Sequence, residues 1–141
     1  MVTTYPYLPE TYLEPLTGTI KAFYRPMIRI RISQNKGQIS FPFDALVDSG
    51  SDRNLFPVYF AKKLRIIIDK NPKVIQGIGG VTVTAYPGKI SIWIGTRKYE
   101  TEADFSPEQK MPLLGRNGFF NLFKSIKFDE KNKFFYIEEY D

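Results

Sequence analysis

Apolar side chains recur at every second position in several short stretches, and this spacing limits the possible fold more than any other feature. The segment Met27–Ser33 places isoleucine at positions 28, 30 and 32, and the same spacing returns at 90, 92 and 94. A period of two is typical of half-buried β-strands. The pattern therefore predicts a compact, barrel-like all-β domain with one or two short helices, which we expect near 57–64 and 116–123.

The N-terminal segment 1–17 differs from the rest because it contains three of the ten prolines. Proline fixes φ and lacks an N–H, so this segment favours an extended arm or loop over regular structure. We expect an N-terminal proline-containing arm at 1–17 and one domain at 18–141. No apolar run is long enough to span a membrane, and the first residues lack a secretory pattern, so we expect a cytoplasmic protein.

The composition excludes several kinds of catalysis, because the chain has no histidine and no cysteine. Serine–histidine–aspartate and cysteine–histidine mechanisms are therefore not available. Carboxylates are the only side chains left as strong metal ligands, and we expect neither a metal nor a cofactor. Acid–base chemistry would have to come from carboxylates, lysine or tyrosine.

The formal net charge of +5 raises the question of nucleic-acid binding. The basic residues are dispersed from Lys21 to Lys133 without a long basic run. Arg29 and Arg31 alternate with isoleucines, which is typical of the solvated face of a strand. We therefore expect no nucleic-acid partner, although a small basic β-barrel that binds nucleic acid remains an alternative.

Segment 44–57 contains the strongest candidate for a functional site. An apolar strand end, Ala45-Leu46-Val47, leads into Asp48 and the tight turn Ser49-Gly50-Ser51. Aspartate, serine and glycine are ordinary turn residues, so Asp48 could simply cap a turn. Alternatively, a strand end followed by a glycine turn could hold a carboxylate rigidly for chemistry. These residues alone do not decide between the two interpretations.

Two further motifs follow in order: Gly-Ile-Gly-Gly at 77–80 and Leu-Leu-Gly-Arg-Asn at 113–117. Together with the Asp-Ser-Gly-Ser turn, this order and spacing resemble the retropepsins, the single-domain aspartic proteases of retroviruses and their cellular relatives. The resemblance covers the chain from about Ile20 onward. It implies a retropepsin-like barrel that acts as a homodimer on a peptide or protein substrate.

The resemblance implies that Asp48 is the catalytic carboxylate, with Ser49 and Gly50 completing the motif. Only one such motif is present, whereas an aspartic protease needs two carboxylates around a water. A two-fold homodimer would supply the second Asp48. Two carboxylates about 3 Å apart share a proton, so one can draw a proton from water while the other stabilises the oxyanion.

The resemblance also implies a flap at 75–81 that closes over an extended peptide, and a set of substrate-binding positions. These positions are Ser51, Asp52, Leu55, Ile75, Gly77, Ile78, Gly79, Met111 and Leu113. The apolar members lead us to expect hydrophobic or aromatic residues beside the scissile bond. A partly buried ion pair between Asp52 and Arg116 is expected to help fix the dimer.

A second hypothesis assigns the same fold to a catalytically silent domain. Such a domain would bind an extended peptide by strand addition, or would mediate dimerisation. The intact Asp48-Ser49-Gly50 motif favours the enzyme.

Overall fold

The structure is a computed structural model that describes residues 1–76 and 78–141, and for Ile78 the backbone only. Its strands are β1 (Val2–Pro6), β2 (Leu8–Leu13), β3 (Ile20–Arg25), β4 (Met27–Ser33), β5 (Phe43–Val47), β6 (Leu55–Pro57), β7 (Lys73–Gln76), β8 (Thr82–Ile94), β9 (Arg97–Ser106), β10 (Leu113–Leu114), β11 (Ser125–Asp129) and β12 (Phe134–Glu138). One short helix, α1 (Val58–Leu64), follows β6, and single 3₁₀ turns occupy Ile78–Gly80 and Phe120–Leu122. The fold is mostly β, as the alternating pattern predicts.

The main sheet closes on itself and forms a barrel. Its strands follow the order β4-β5-β10-β6-β9-β8-β7, and β4 also pairs with β8 through Arg31–Trp93, Ile32–Ile92 and Ser33–Ser91. Closure leaves six strands in the barrel and β7 beside β8 at its edge. The isoleucines of β4 and β8 face the interior because a period of two sends alternate side chains to opposite faces.

The hydrophobic core is formed by large apolar side chains from distant parts of the chain. The bulkiest apolar side chains that are almost completely buried are Phe56, Phe105, Phe119, Phe135, Ile28, Ile30, Ile32, Ile90, Ile92 and Leu114. Each such side chain stabilises the fold by about 1.5–3 kcal/mol through the removal of apolar surface from water. This core supports the short strands β5, β6 and β10, which carry the candidate site.

The N-terminal segment is regular structure, and the expectation of an arm or loop at 1–17 is wrong in this respect. Strand β1 pairs antiparallel with β12, which also pairs with β11, so a three-stranded sheet joins the two ends of the chain. Strands β2 and β3 form a separate hairpin, and the expected boundary at 17/18 falls within its turn. Prolines 6 and 9 are accommodated because strands at a sheet edge tolerate a missing N–H.

The second expected helix, at 116–123, is reduced to the 3₁₀ turn Phe120–Leu122. Gly118 has φ of +119°, which is incompatible with a right-handed helix. The first expected helix is present as α1. Over the described residues, no helix has both the length and the apolar character needed to cross a bilayer.

Candidate active site

Asp48 lies directly after β5, where residues from two distant parts of the chain fix the backbone. Strand β10 runs parallel to β5, with Leu114 opposite Val47. The Asp48 N–H donates to the Leu114 carbonyl at 2.9 Å, and the Val47 N–H donates to the Pro26 carbonyl at 2.8 Å. Hydrogen bonds on both sides of β5 therefore fix the backbone that carries the Asp48 carboxylate.

The turn after β5 orients the carboxyl group of Asp48. The Gly50 N–H donates to Oδ1 of Asp48 at 2.9 Å, and the Ser51 N–H donates to the Asp48 carbonyl at 3.1 Å. A β-carbon on Gly50 would lie 3.2 Å from Oδ1, which is tighter than most such contacts. Asp48 is half-buried, whereas Ser49 and Gly50 are exposed. The predicted triplet thus presents an oriented carboxyl group at the surface of the single chain.

Asn54, which sequence reasoning missed, joins the loop after this turn to β9 and to the residue that follows β10. Its side chain is fully buried, accepts from the Gly115 N–H at 3.0 Å and donates to the Glu102 carbonyl at 2.9 Å. Its own carbonyl accepts from the N–H of Asp104 at 2.8 Å. An asparagine in a polar turn segment gives no sequence signal for such burial.

The expected ion pair between Asp52 and Arg116 is absent from the ion pairs of the described residues, so this prediction is wrong for the single chain. Both side chains are exposed, and an exposed pair contributes only about 0–1 kcal/mol. The two segments are joined by their backbones instead, because the Arg116 N–H donates to the Ser51 carbonyl at 2.9 Å and the Asn117 N–H donates to the Asp52 carbonyl at 2.8 Å.

The ion pair next to this loop is formed by Arg53 and Asp104. Nε of Arg53 lies 2.9 Å from Oδ2 of Asp104, which is fully buried. Glu102 lies 3.4 Å from the same guanidinium, and Lys73 of β7 lies 3.4 Å from Oδ2 of Asp104. The cluster connects the candidate catalytic loop with the first strand of the expected flap.

The apolar residues expected to bind substrate fall into two groups. Leu113 pairs with Leu46 on one side and with Leu55 on the other, so these positions form a floor beside the Asp48 strand end. Leu55 is only 7% exposed and so packs mainly as core, whereas Leu113 and Met111 are half-buried. The expected role of these residues in substrate binding stays a prediction.

The flap residues lie on a separate hairpin formed by β7 and β8, with Gln76 opposite Thr82. Ile75 is half-buried in β7, and Gly79 and Gly80 have φ of +81° and +78° at the tip. Glycine adopts these angles without the strain that another residue would incur. Gly77 and the side chain of Ile78 lie outside the described residues. In the described part of the chain, no hydrogen bond joins this hairpin to Asp48, Ser49 or Gly50.

Tyr7 and Glu130 share a shallow cavity of about 250 Å³ with Asp48 and Ser49. The Tyr7 hydroxyl donates to Oε2 of Glu130 at 3.0 Å. Burial, followed by the bond to Glu130, raises the pKa of Tyr7 to about 12. Hydrogen bonds from Lys133 and Tyr7 lower the pKa of Glu130. More than a hundred residues separate the two partners in the sequence, so no local pattern could have indicated their contact.

The barrel and the carboxyl-bearing turn define an acid-protease type of fold, and comparison with known proteins assigns the family. Residues 22–126 match the family model of the retroviral aspartyl protease. The chain belongs to the retroviral aspartyl protease family. The structure is similar to that of EIAV protease complexed with the inhibitor HBY-793, with a TM-score of 0.53 and 21% sequence identity over 65% of this chain and 82% of that chain. No curated protein matches the chain.

Proposed function

We propose that the chain is an aspartic endopeptidase that acts as a homodimer. The observation that carries the proposal is the position of Asp48, whose backbone is held between β10 and Pro26 and whose carboxyl group accepts from the Gly50 N–H at 2.9 Å. The sequence contains a single Asp-Ser-Gly motif. A second copy of the chain would supply the second carboxylate of the site.

The chemistry follows from bringing two Asp48 carboxyl groups together around one water. Two carboxyl groups at about 3 Å cannot both ionise, so the pair shares a proton and titrates as a unit. The ionised member draws a proton from the water as the water attacks the peptide carbonyl. The protonated member donates to the developing oxyanion, and the leaving amine is protonated as the carbon–nitrogen bond breaks.

The remaining residues of the site would hold the substrate. The half-buried Leu113 and Met111, with Ile75 of β7, offer apolar surface for side chains beside the scissile bond. The glycine-containing tip of the β7–β8 hairpin would close over an extended peptide and exclude water. We therefore propose a substrate with hydrophobic or aromatic residues on both sides of the cut.

The test is cleavage of a peptide library by the wild-type chain and by Asp48→Asn at acidic to neutral pH. Asp48→Asn should abolish cleavage, because an amide cannot act as the base. Asp44→Asn is the matched control, since Asp44 lies on the same strand and its pair with Arg29 lies at the surface. Specific activity of the wild type should rise with concentration through the dimer dissociation constant.

Equal cleavage by the wild type and by Asp48→Asn would overturn the proposal. So would wild-type cleavage that is proportional to concentration in a sample that is monomeric throughout. A dimer that binds extended peptides without cutting them would instead favour the catalytically silent domain.

A further inference from the structure

The β2–β3 hairpin projects from the barrel and has one face without any charge. Its paired positions Pro9–Tyr24, Thr11–Ala22 and Leu13–Ile20 lie on the same side of the two strands. Leu13 is 63% exposed, Ile20 is 78% exposed and Tyr24 is 49% exposed. We name this surface, formed by residues 9, 11, 13, 20, 22 and 24, the uncharged face.

On the opposite face of the hairpin, the charged and aromatic side chains contact one another. Nε of Arg25 lies 3.1 Å from Glu10, and its guanidinium carbon lies 4.7 Å from the centre of the Phe23 ring. Tyr12 and Phe23 place their rings 5.5 Å apart. Lys21 pairs with Glu14 across the turn. All the charges of the hairpin therefore lie on one side, and the apolar side chains of the other side have no such partners.

A two-stranded hairpin of this kind is marginally stable by itself in water. Apart from Leu8 and Arg25 at its base, every residue of its strands is exposed. The barrel therefore covers neither face. Exposed apolar side chains on an ordered element are typical of a surface that another molecule covers.

The base of the hairpin lies next to Asp48. Arg25 is followed by Pro26, whose carbonyl accepts from the N–H of Val47, the residue before Asp48. Pro26 lines the same cavity as Asp48 and Ser49, and Nη1 of Arg25 lies 3.6 Å from the sulfur of Met111. An arrangement that brings two copies of Asp48 together therefore brings each hairpin base to the boundary between the copies.

We infer that the uncharged face of the β2–β3 hairpin packs against a second copy of this chain and stabilises the homodimer. The inference rests on the proposed function, which requires two copies. Position favours this occupant, because the hairpin base lies beside Asp48, where a second copy must approach. Two chains of net charge +5 repel each other, and a face without charges adds nothing to that repulsion. An acidic partner would be recognised by basic residues, and this face has none.

The test compares three double variants of the hairpin by sedimentation equilibrium. Leu13→Ser with Ile20→Ser removes apolar surface from the uncharged face and should raise the dimer dissociation constant at least about tenfold. Tyr12→Ser with Lys21→Ser alters the neighbouring pair on the opposite face. This variant should change the dimer dissociation constant less than about threefold. Leu13→Ile with Ile20→Leu keeps the face apolar and should keep the dimer.

Hydrogen exchange gives a second measurement that does not depend on a substitution. Amides of residues 8–25 in the wild-type chain should exchange more slowly above the dissociation constant than below it. Circular dichroism of each variant should match the wild type, because the altered side chains lie outside the barrel core.

The outcomes separate this inference from the proposed function. Suppose that the wild-type dimer cleaves peptides and that the Leu13→Ser/Ile20→Ser variant has the same dimer dissociation constant. This result would overturn the role of the hairpin but would agree with the proposed protease function. Equal exchange of residues 8–25 in monomer and dimer would overturn it as well. A wild-type chain that is monomeric at all concentrations would overturn both.

Discussion

Nε of Arg53 lies 2.9 Å from Oδ2 of Asp104, a carboxylate with no exposed surface. The second oxygen, Oδ1, has no hydrogen-bond partner within the described residues. Arg53 immediately follows Asp52 in the loop after Asp48, and Lys73 of the flap strand reaches the same carboxylate at 3.4 Å. The buried Asp104 carboxylate therefore holds both the loop after Asp48 and the flap strand β7, and its loss should affect both.

Arg53→Met should destabilise the fold by about 2–3 kcal/mol, because it leaves Asp104 with one weaker partner. This magnitude is below that of a fully buried pair, since the Arg53 side chain is 27% exposed. The control is Arg29→Met, which removes a surface pair with Asp44 and should cost about 0–1 kcal/mol. Urea unfolding of the three proteins measures the difference, and equal stability of the two variants would contradict the prediction.

Gly115→Ala should unfold the protein or destabilise it by more than about 4 kcal/mol. A β-carbon at this position would lie 2.4 Å from the carbonyl oxygen of Arg53 and 2.8 Å from its nitrogen, and both atoms belong to the backbone. The loop after Asp48 would have to move away from β10. The contrast is Gly95→Ala, where no atom lies within 4 Å and only a φ of +58° opposes the substitution. That variant should cost about 1 kcal/mol, and thermal unfolding distinguishes the two.

The contact between Tyr7 and Glu130 should make stability depend on alkaline pH. The pKa of Tyr7 rises from 10.0 to about 12 on folding, so the folded chain keeps a proton that the unfolded chain releases. This contribution to stability is complete below pH 10 and is lost as the pH rises through about 12. The difference in unfolding free energy between the wild type and Tyr7→Phe should therefore shrink over this range. A difference that stays constant would contradict the assignment.

Local patterns were sufficient to predict the strands whose two faces differ. Strand β4 occupies the predicted segment Met27–Ser33, because isoleucine and arginine alternate along it. Strand β8 is longer than the pattern suggested, since Pro87 and Gly88 lie inside one continuous strand. A β-carbon at Gly88 would lie 3.1 Å from the carbonyl oxygen of Ile67 and 3.2 Å from Cγ2 of Ile68, so a side chain fits there only tightly. This packing constraint involves residues from another part of the chain.

The candidate site was only partly predictable. The turn at Asp48 is local, so its residues identify it. By contrast, the partner of Arg53 depends on which residue of β9 lies next to it. The resemblance to the retropepsins instead favoured an ion pair between Asp52 and Arg116, which the described residues do not form. The same limitation applies to Asn54, because one of its two side-chain partners lies in β9 and the other directly follows β10.

The parallel pairing of β5 and β10 also affects when the site can form during synthesis. The amide of Asp48 binds the carbonyl of Leu114, which the ribosome adds much later. A nascent chain therefore cannot hold Asp48 in place until translation has passed Leu114. Translation products that end before Leu114 therefore lack the hydrogen bond that orders the backbone of Asp48.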